Sequence, residues 1–486
     1  MGLRTVAEYK ESLRDGREVY VLGERVEDVT THPILSITTD HAANVYEVAQ
    51  RPELRELFTF TSPETGQPVN RHFMQPRDAR ELALRGQVIE EHTRQGNSTL
   101  NLLKSVGTDA LCALTIVAPQ IDADRGTEYT GRVARFLSHC RENDLSIALA
   151  QTDVKGDRAK RPHQQADPDL YVRIVERRSD GIVVRGAKAH ITAVPAANEL
   201  IVIPTRAMGK EDADYAVAFA IPLNTPGLKL ICRPTRSTAE SLFDNPISRR
   251  NIETEALTVF DDVFVPWERV FLAGDWQHAG TVATMFATFH RFTGVSYKPP
   301  IADMFVGAAQ LIAEANGLDG VSHVREKIAR LIHYAEIIRA CGKAAANECE
   351  VIEPGIAVPN PVYTNAGKYH FASQFHDAVR LLQDLAGGMT ITAPAEADLL
   401  NPATRPYVQK YLAGRADVPS VDRLRLFHLI RDLTASEFGG YNLVVTLHGE
   451  GPLQAQLIAT YREYDLERPK ELVRQALRME TPATAG

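Results

Sequence analysis

The sequence predicts an α+β fold in three consecutive parts. These are a mainly helical N-terminal domain (residues 1–143), a central β-domain (144–273) and a C-terminal helical bundle (274–486). Three observations favour this division: helical spacing of apolar residues in the first part, short β-branched runs between turn residues in the second, and long helical patterns in the third. At 486 residues, the chain exceeds the roughly 250–300 residues at which a single core stops growing, so we expect more than one core.

The N-terminal part begins with a short amphipathic helix over Val6–Leu13. A hairpin follows, with strands over Val19–Leu22 and Val26–Val29 and a turn at Gly23-Glu24. Helical spacing then predicts helices over residues 79–95, 100–118 and 127–143, the second of them interrupted near Gly107.

The central part contains a hairpin and a polar loop. Strands over residues 172–175 and 182–184 flank Ser179-Asp180-Gly181, whose glycine can adopt a positive φ. The loop Gln151–Arg158 is too polar for a strand core, and binding sites concentrate in polar loops on rigid sheets, although a solvated turn has the same composition. Further strands are predicted over residues 200–203, 214–222, 228–231 and 257–265, and Pro266 ends the last of them.

Helical patterns fill the C-terminal part, over residues 307–316, 321–349, 365–387 and 421–438. In the second of these, Ile328, Leu331 and Ile338 fall on one face. Pro299-Pro300 should break the helix that precedes them and direct its last side chains into a cleft.

Composition excludes several classes of protein. A net charge of −8 argues against a general nucleic-acid binder, and no run of about 20 apolar residues could span a membrane. The N-terminus has no apolar segment of the kind found in secretory signals. The five cysteines have no C-x-x-C spacing, which favours a reducing cytoplasm over a disulfide framework.

Residues 288–298 place His290, Arg291, Tyr297 and Lys298 within one short segment. Histidine has an ordinary pKa near 6.5 and suits proton transfer at neutral pH. A histidine packed between helices is the alternative, and composition alone favours it. Glu255 precedes an apolar strand and is a candidate base, although most such carboxylates are solvated.

The segment Gln383–Met389 ends a long helical pattern with the pair Gly387-Gly388. Exposed amides at paired glycines can bind a pyrophosphate, but glycine is also the usual helix C-cap. No G-x-G-x-x-G, P-loop, G-x-S-x-G or H-E-x-x-H motif is present, which removes the commonest nucleotide-binding and hydrolase interpretations.

Several long segments resemble the 4-hydroxyphenylacetate 3-hydroxylase family, which includes flavin monooxygenases and 4-hydroxybutyryl-CoA dehydratase. They are EYKESLRDGREVYVLGERVEDVTTHP (8–33), TDVKGDR (152–158), DGIVVRGAKAH (180–190), EALTVFDDVFVP (255–266), FHR (289–291) and LAGGMTITAPAEAD (385–398). The resemblance covers nearly the whole chain and is greater to the dehydratase branch. It implies an acyl-CoA dehydrogenase-like fold with a central β-barrel, FAD as cofactor and a homotetramer.

The resemblance also implies site residues. Glu255, His290 and Lys298 match active-site positions, with His290 as acid or base and Lys298 orienting an anionic group. Thr192 is placed near the flavin ring, and Gln383–Gly388 resembles a segment that meets the FAD of a neighbouring subunit. The implied FAD-binding set is Leu149, Gln151, Thr152, Lys155, Gly156, Asp157, Arg158, Thr192, Gln383, Gly387 and Gly388.

Two departures from the family bear on the reaction. The dehydratase holds an iron–sulfur cluster with three cysteines and a histidine, and here the cysteine positions correspond to Asn101, Ser105 and Tyr297. Such clusters need thiolates, so no metal centre is expected. The Arg, Tyr and His that bind a phenol in the hydroxylase branch correspond to apolar residues, namely Leu102 or Leu103, Val106 and Leu149.

These features favour the FAD-dependent oxygenase component of a two-component monooxygenase, which hydroxylates an aromatic or conjugated small molecule with reduced FAD from a partner flavin reductase. One alternative is a cluster-free acyl-CoA isomerase or dehydratase-like flavoprotein. Another is a non-catalytic protein that binds flavin or an acyl thioester.

Overall fold

The computed structural model describes residues 2–234 and 241–479, and its elements follow the predicted order. The helices are α1 (Val6–Ser12), α2 (Leu35–Gln50), α3 (Pro52–Phe58), α4 (Ala79–Gln95), α5 (Ser105–Arg125), α6 (Tyr129–Glu142), α7 (Trp276–Ala315), α8 (Ser322–Asn347), α9 (Pro361–Ala386), α10 (Met389–Thr392), α11 (Glu396–Leu400), α12 (Arg405–Tyr411), α13 (Ser420–Thr434), α14 (Glu437–His448), α15 (Leu453–Glu463) and α16 (Glu467–Leu477). The strands are β1 (Glu18–Val21), β2 (Glu24–Val26), β3 (Thr59–Thr61), β4 (Pro68–Asn70), β5 (Ile147–Ala150), β6 (Arg173–Arg177), β7 (Gly181–Thr192), β8 (Glu199–Val202), β9 (Val217–Pro222), β10 (Leu228–Cys232), β11 (Glu255–Pro266), β12 (Val270–Ala273), β13 (Glu350–Ile352) and β14 (Ile356–Val358).

Two sheets form the centre of the molecule. One has the order β2-β1-β10-β11-β7-β6 and the other the order β12-β9-β8-β5. Within the part of the chain that the structure describes, their hydrogen bonds form two open sheets rather than one closed barrel. The predicted hairpin is confirmed, since β6 and β7 pair antiparallel. The early strand β1 pairs parallel with β10, so the first hairpin belongs to the central sheet.

The predicted interruption of the helix near Gly107 is wrong, because α5 runs without a break through this residue. A Cβ at Gly107 would lie 2.3 Å from the Cβ of Ile147 on β5. The glycine therefore allows the helix to pack closely against the sheet.

The predicted helix break at Pro299-Pro300 is also wrong. Helix α7 continues through both prolines from Trp276 to Ala315. A proline removes one helical hydrogen bond and normally disfavours the helix interior. Here every residue from 292 to 300 is buried, and α7 packs against α4, α5, α8 and α9. We attribute the continuous helix to this packing, which outweighs local propensity.

Helix α7 connects the two main hydrophobic cores. Phe286 and Phe289 pack in the core formed by the sheets and the N-terminal helices, whereas Phe292 and Val295 pack in the core of the C-terminal bundle. The middle of α7 therefore lies where sheets and bundle meet, and His290 is placed between the two cores.

No helix among residues 2–234 and 241–479 is both long and apolar enough to cross a membrane. All five cysteines are free thiols.

Candidate active site

A cleft of about 2110 Å³ opens between the sheets and α7. Its walls are formed by β5 and the loop after it, the end of β7, the start of β11, the middle of α7, and the connection between α14 and α15. Eight of the predicted site residues line it: Leu149, Gln151, Thr152, Lys155, Arg158, Thr192, Glu255 and His290.

The loop after β5 presents free polar groups to the cleft. The side chains of Gln151, Thr152, Lys155 and Arg158 line it. None of these four side chains is hydrogen-bonded within residues 2–234 and 241–479. Two of them are cations, which suits a ligand with phosphate groups.

Gly156 and Asp157 lie in the same loop but do not line the cleft. Gly156 has φ +51°, and a Cβ there would lie 2.6 Å from Oε1 of Gln165. The Asp157 amide donates to the same oxygen at 2.9 Å. These two residues therefore shape the loop against Gln165.

The predicted turn at Gln383–Gly388 lies away from the cleft, at the end of α9. The Gln383 amide donates to the carbonyl oxygen of Thr434 at 3.1 Å, whereas Gly387 and Gly388 are exposed. The contact that was predicted for them is with a neighbouring subunit and stays a prediction.

The ring of His290 is hydrogen-bonded to a buried carboxylate, that of Asp109. Its Nδ1 lies 3.3 Å from Oδ2 of Asp109, which is fully buried, and its ring stacks on Phe286 with centroids 5.0 Å apart. The other oxygen of Asp109 accepts bonds from Thr293 at 2.8 Å and Arg85 at 2.6 Å. Since Nδ1 has a partner, Nε2 is the ring nitrogen available to a ligand.

Glu255 is the first residue of β11, directly opposite Thr192 at the end of β7. Arg233 donates to its Oε2 at 2.7 Å, and the hydroxyl of Tyr441 donates to its Oε1. The Arg233 guanidinium also lies 4.5 Å from the centre of the Tyr441 ring. The Glu255 carboxylate thus joins β11 to the helical bundle at the cleft wall.

Lys298 is 2% exposed and does not line the cleft. Its Nζ donates to Oε2 of Glu450 at 2.7 Å and to the Tyr297 hydroxyl at 2.8 Å, and Tyr297 itself donates to Oε1 of Glu450. Burial disfavours the charge on Glu450, but attraction from Lys298, Lys368 and His290 outweighs burial and lowers its pKa to about 2. Glu450 therefore stays ionised.

A second buried carboxyl group, that of Glu253, has a raised pKa, whereas that of Glu450 is lowered. Glu253 is 5% exposed, and its Oε1 accepts a bond from the Leu102 amide at 2.7 Å. Its Oε2 has no partner in the described parts of the chain. Burial raises the pKa of Glu253 to about 8, so at neutral pH this side chain is mostly a neutral acid.

Sequence reasoning missed several of these residues, because their partners are distant in the chain. One of them, Glu450, had a local signal in the sequence, since it stands between Gly449 and Gly451. In the structure Glu450 has φ +53°, which is uncommon for a residue with a side chain. The missed set comprises Arg85, Asp109, Glu253, Tyr441 and Glu450.

The three residues that the resemblance places at the cluster cysteines, Asn101, Ser105 and Tyr297, do not fit an iron–sulfur cluster. The Asn101 amide donates to the His41 carbonyl at 2.8 Å, and Tyr297 is bound to Glu450. Ser105 Oγ is buried and has no partner among the residues that the structure describes. These are neutral oxygen and nitrogen groups rather than thiolates. Across residues 2–234 and 241–479, no group of three or more His, Cys, Asp or Glu side chains has the geometry to hold a metal ion.

Two family models match nearly the whole chain. The model described as 4-hydroxyphenylacetate 3-hydroxylase N terminal matches residues 5–272, and the C-terminal model of the same name matches residues 279–478. The chain is 33% identical to 4-hydroxybutyryl-CoA dehydratase/vinylacetyl-CoA-Delta-isomerase of Clostridium aminobutyricum, over 97% of this chain and 99% of that protein. It is 32% identical to the oxygenase component of 4-hydroxyphenylacetate 3-monooxygenase of Thermus thermophilus, over 98% and 97%.

Solved structures agree with this assignment. A 4-hydroxyphenylacetate 3-monooxygenase oxygenase component, complexed with FAD and 4-hydroxyphenylacetate, has a TM-score of 0.90 at 30% identity over 98% of both chains. Butyryl-CoA dehydrogenase from Megasphaera elsdenii, at 15% identity and a TM-score of 0.51 over 95% of this chain and 98% of that one, confirms the acyl-CoA dehydrogenase-like fold. The chain belongs to the 4-hydroxyphenylacetate 3-hydroxylase family.

Proposed function

We propose that this protein is the FAD-dependent oxygenase component of a two-component monooxygenase that hydroxylates an aromatic or conjugated substrate. The observation that carries the proposal is the cleft itself. His290 faces it, and apolar residues Leu102, Val106 and Leu149 line it. The proposal is also supported by Asn101, Ser105 and Tyr297, which carry no thiolate at the positions where the resemblance expects cluster cysteines.

The polar and positively charged side chains that line the cleft fit FAD. Lys155 and Arg158, whose side chains have no partner in the described parts of the chain, would hold the phosphates. Gln151, Thr152 and Thr192 would hydrogen-bond to the flavin. When bound and reduced, FAD supplies the electrons that activate molecular oxygen. A flavin reductase is the partner that this chemistry requires.

The residues of this chain position the substrate and move its proton. His290, held through Nδ1 by Asp109, accepts the proton of a substrate hydroxyl at Nε2. The Leu102, Val106 and Leu149 side chains exclude water from the substrate ring. Glu255, fixed by Arg233 and Tyr441, holds the cleft wall together.

The test is turnover with reduced FAD supplied from outside. Purified protein is mixed with chemically reduced FAD, oxygen and a panel of phenols, and the products are analysed by mass spectrometry. We expect a product with one added oxygen atom, which His290→Ala abolishes while FAD binding is retained. Flavin reoxidation without any hydroxylated product across the panel would argue against the proposal.

A second candidate is an acyl-CoA isomerase that works without a cluster. It is favoured by the 33% identity to a dehydratase/isomerase over nearly the full length of both chains, and by the presence of His290, Glu255 and Lys298. Vinylacetyl-CoA is the probe, and the Clostridium protein is the positive control. Isomerisation by this chain, without added reduced FAD, would make this candidate the better one.

We also propose a homotetramer, in which Gln383, Gly387 and Gly388 meet the FAD of a neighbouring subunit. The exposure of both glycines at the end of α9 supports this contact. Sedimentation of wild type and of Gly388→Glu, with FAD affinity measured in parallel, tests it.

A further inference from the structure

Near the end of β7, a histidine has a strained backbone conformation. His190 has φ +58°, which is uncommon for a residue with a side chain. On one side of it, Ile191 pairs with Ala256 of β11, and on the other side Lys188 pairs with Thr258. Two residues of β7 therefore oppose one residue of β11. Such a β-bulge redirects a side chain, and bulges and strained residues are frequent beside active sites.

The bulge presents His190 to the cleft. This residue is exposed and lines the cleft wall. Neither of its ring nitrogens has a hydrogen bond or an ion pair with residues 2–234 or 241–479, whereas His290 in the same cleft is bonded to Asp109. Because an imidazole always carries at least one N–H group, His190 offers a donor to a ligand.

Hydrogen bonds fix the end of β7 to the polar loop after β5. The Ala189 amide donates to the carbonyl oxygen of Thr152 at 2.9 Å. The ammonium group of Lys188, which is buried, donates to the carbonyl oxygen of Gln151 at 2.8 Å. His190 therefore has a fixed position beside Gln151 and Thr152, in the loop that is expected to hold FAD.

A free N–H donor at this place distinguishes the two redox states of a flavin. At neutral pH the two-electron-reduced flavin ring carries a negative charge, whereas the oxidised ring is neutral. A hydrogen bond to a charged acceptor is stronger than one to a neutral acceptor. The phosphates of FAD have the same charge in both states, so contacts from Lys155 and Arg158 do not distinguish them.

We propose that the imidazole of His190 donates a hydrogen bond to the ring of reduced FAD, so that the cleft binds reduced FAD more tightly than oxidised FAD. The inference rests on the proposed function, because it concerns the cofactor of the same cleft. An oxygenase component with this preference takes up reduced FAD from its reductase and releases oxidised FAD after turnover. His190 thus selects the redox state of the cofactor, whereas His290 acts on the substrate.

The test compares the affinities of the two redox states and needs neither oxygen nor substrate. Flavin-free protein is titrated with oxidised FAD and, anaerobically, with chemically reduced FAD. Wild type should bind reduced FAD about tenfold or more tightly, which raises the two-electron potential of the bound flavin by about 30 mV relative to free FAD. His190→Gly should lower this preference to about threefold or less and change the affinity for oxidised FAD less than about twofold.

Three variants complete the design. Glycine adopts a positive φ readily, so His190→Gly removes the imidazole and leaves the bulge in place. His190→Gln keeps an N–H donor and should recover part of the preference. Arg158→Gln removes a phosphate contact and should weaken both redox states by the same factor. Arg462→Gln removes an exposed cation that lines the cleft and is paired with Glu463, and it should change either affinity less than about twofold.

Three results would overturn the inference. They are a wild type that binds reduced FAD no more tightly than oxidised FAD, a preference that His190→Gly leaves intact, and equal losses for both redox states in His190→Gly. The proposed function fails separately, since a preference that depends on His190 without any hydroxylated product would refute the monooxygenase and leave the flavin contact standing. Hydroxylation by wild type, with a preference that His190→Gly does not change, would do the reverse.

Discussion

Replacing Glu450 with glutamine removes the carboxylate that joins α7 to the connection between α14 and α15. The side chains of Glu450 and Lys298 are each 2% exposed, so Glu450→Gln leaves the buried ammonium group of Lys298 without a counter-charge. Lys368, which is also buried, loses the electrostatic attraction of the Glu450 carboxylate. We therefore expect a large loss of stability rather than a local effect.

The magnitude follows from the electrostatics of the pair. Glu450 has a pKa of about 2, against an ordinary value of 4.5. This shift corresponds to about 3 kcal/mol at neutral pH. Removing one partner of a buried ion pair typically costs about 3–5 kcal/mol, which agrees. Because the pKa is lowered, the stabilisation is fully present above about pH 4.5 and is lost as the pH falls towards about 2.

Urea unfolding of wild type and Glu450→Gln at neutral pH measures the loss. Glu463→Gln is the matched control, since it breaks an exposed pair with Arg462 and should cost less than about 0.5 kcal/mol. The double variant Glu450→Gln/Lys298→Met removes both charges and should recover part of the stability. If Glu450→Gln costs no more than Glu463→Gln, the buried pair does not stabilise the fold as argued.

Three other predictions concern single residues. Gly294→Ala should destabilise the protein by about 1–3 kcal/mol, because the new Cβ would lie 3.0 Å from Cδ of Glu450 and 3.2 Å from Nζ of Lys298. Gly307→Ala on the same helix is the control: its Cβ meets no atom within 4 Å, and it should stabilise the protein by about 0.5–1 kcal/mol. Thermal unfolding of both variants tests this difference. Glu253 keeps its proton in the folded state up to about pH 8 and loses it in the unfolded state near 4.5, so its contribution to stability falls as the pH rises between these values. Glu253→Gln should therefore gain about 3–4 kcal/mol relative to wild type between about pH 5 and pH 8, and a pH-independent difference in urea midpoint would contradict this assignment. Asp109→Ala should cost about 3–5 kcal/mol, because it leaves the buried Arg85 without its carboxylate, and a loss below about 1 kcal/mol in urea would count against that pair.

Local patterns in the sequence predicted the elements whose causes are local. The hairpin at Ser179–Gly181 needs a turn glycine between two β-branched runs, and both are visible in the sequence. Likewise the polar loop Gln151–Arg158 was predicted from composition, and four of its side chains line the cleft.

Features that depend on distant contacts could not be predicted in this way. Pairing of β1 with β10 joins Glu18 to Lys229, and no local pattern specifies that partner. Pro299 and Pro300 locally predict a helix break, but the packing around α7 keeps the helix continuous through both residues. Similarly, Tyr441 binds Glu255 from 186 positions away, so the carboxylate could be selected as a candidate but its partner could not.

We propose that this chain transfers oxygen to an aromatic substrate with reduced FAD. A single turnover tests this proposal: protein, chemically reduced FAD and a phenol are mixed with heavy-isotope molecular oxygen. We expect a hydroxylated product carrying one heavy oxygen atom, formed by wild type and not by His290→Ala. Complete reoxidation of FAD with no heavy oxygen in any organic product, together with isomerisation of vinylacetyl-CoA by the same preparation, would contradict it.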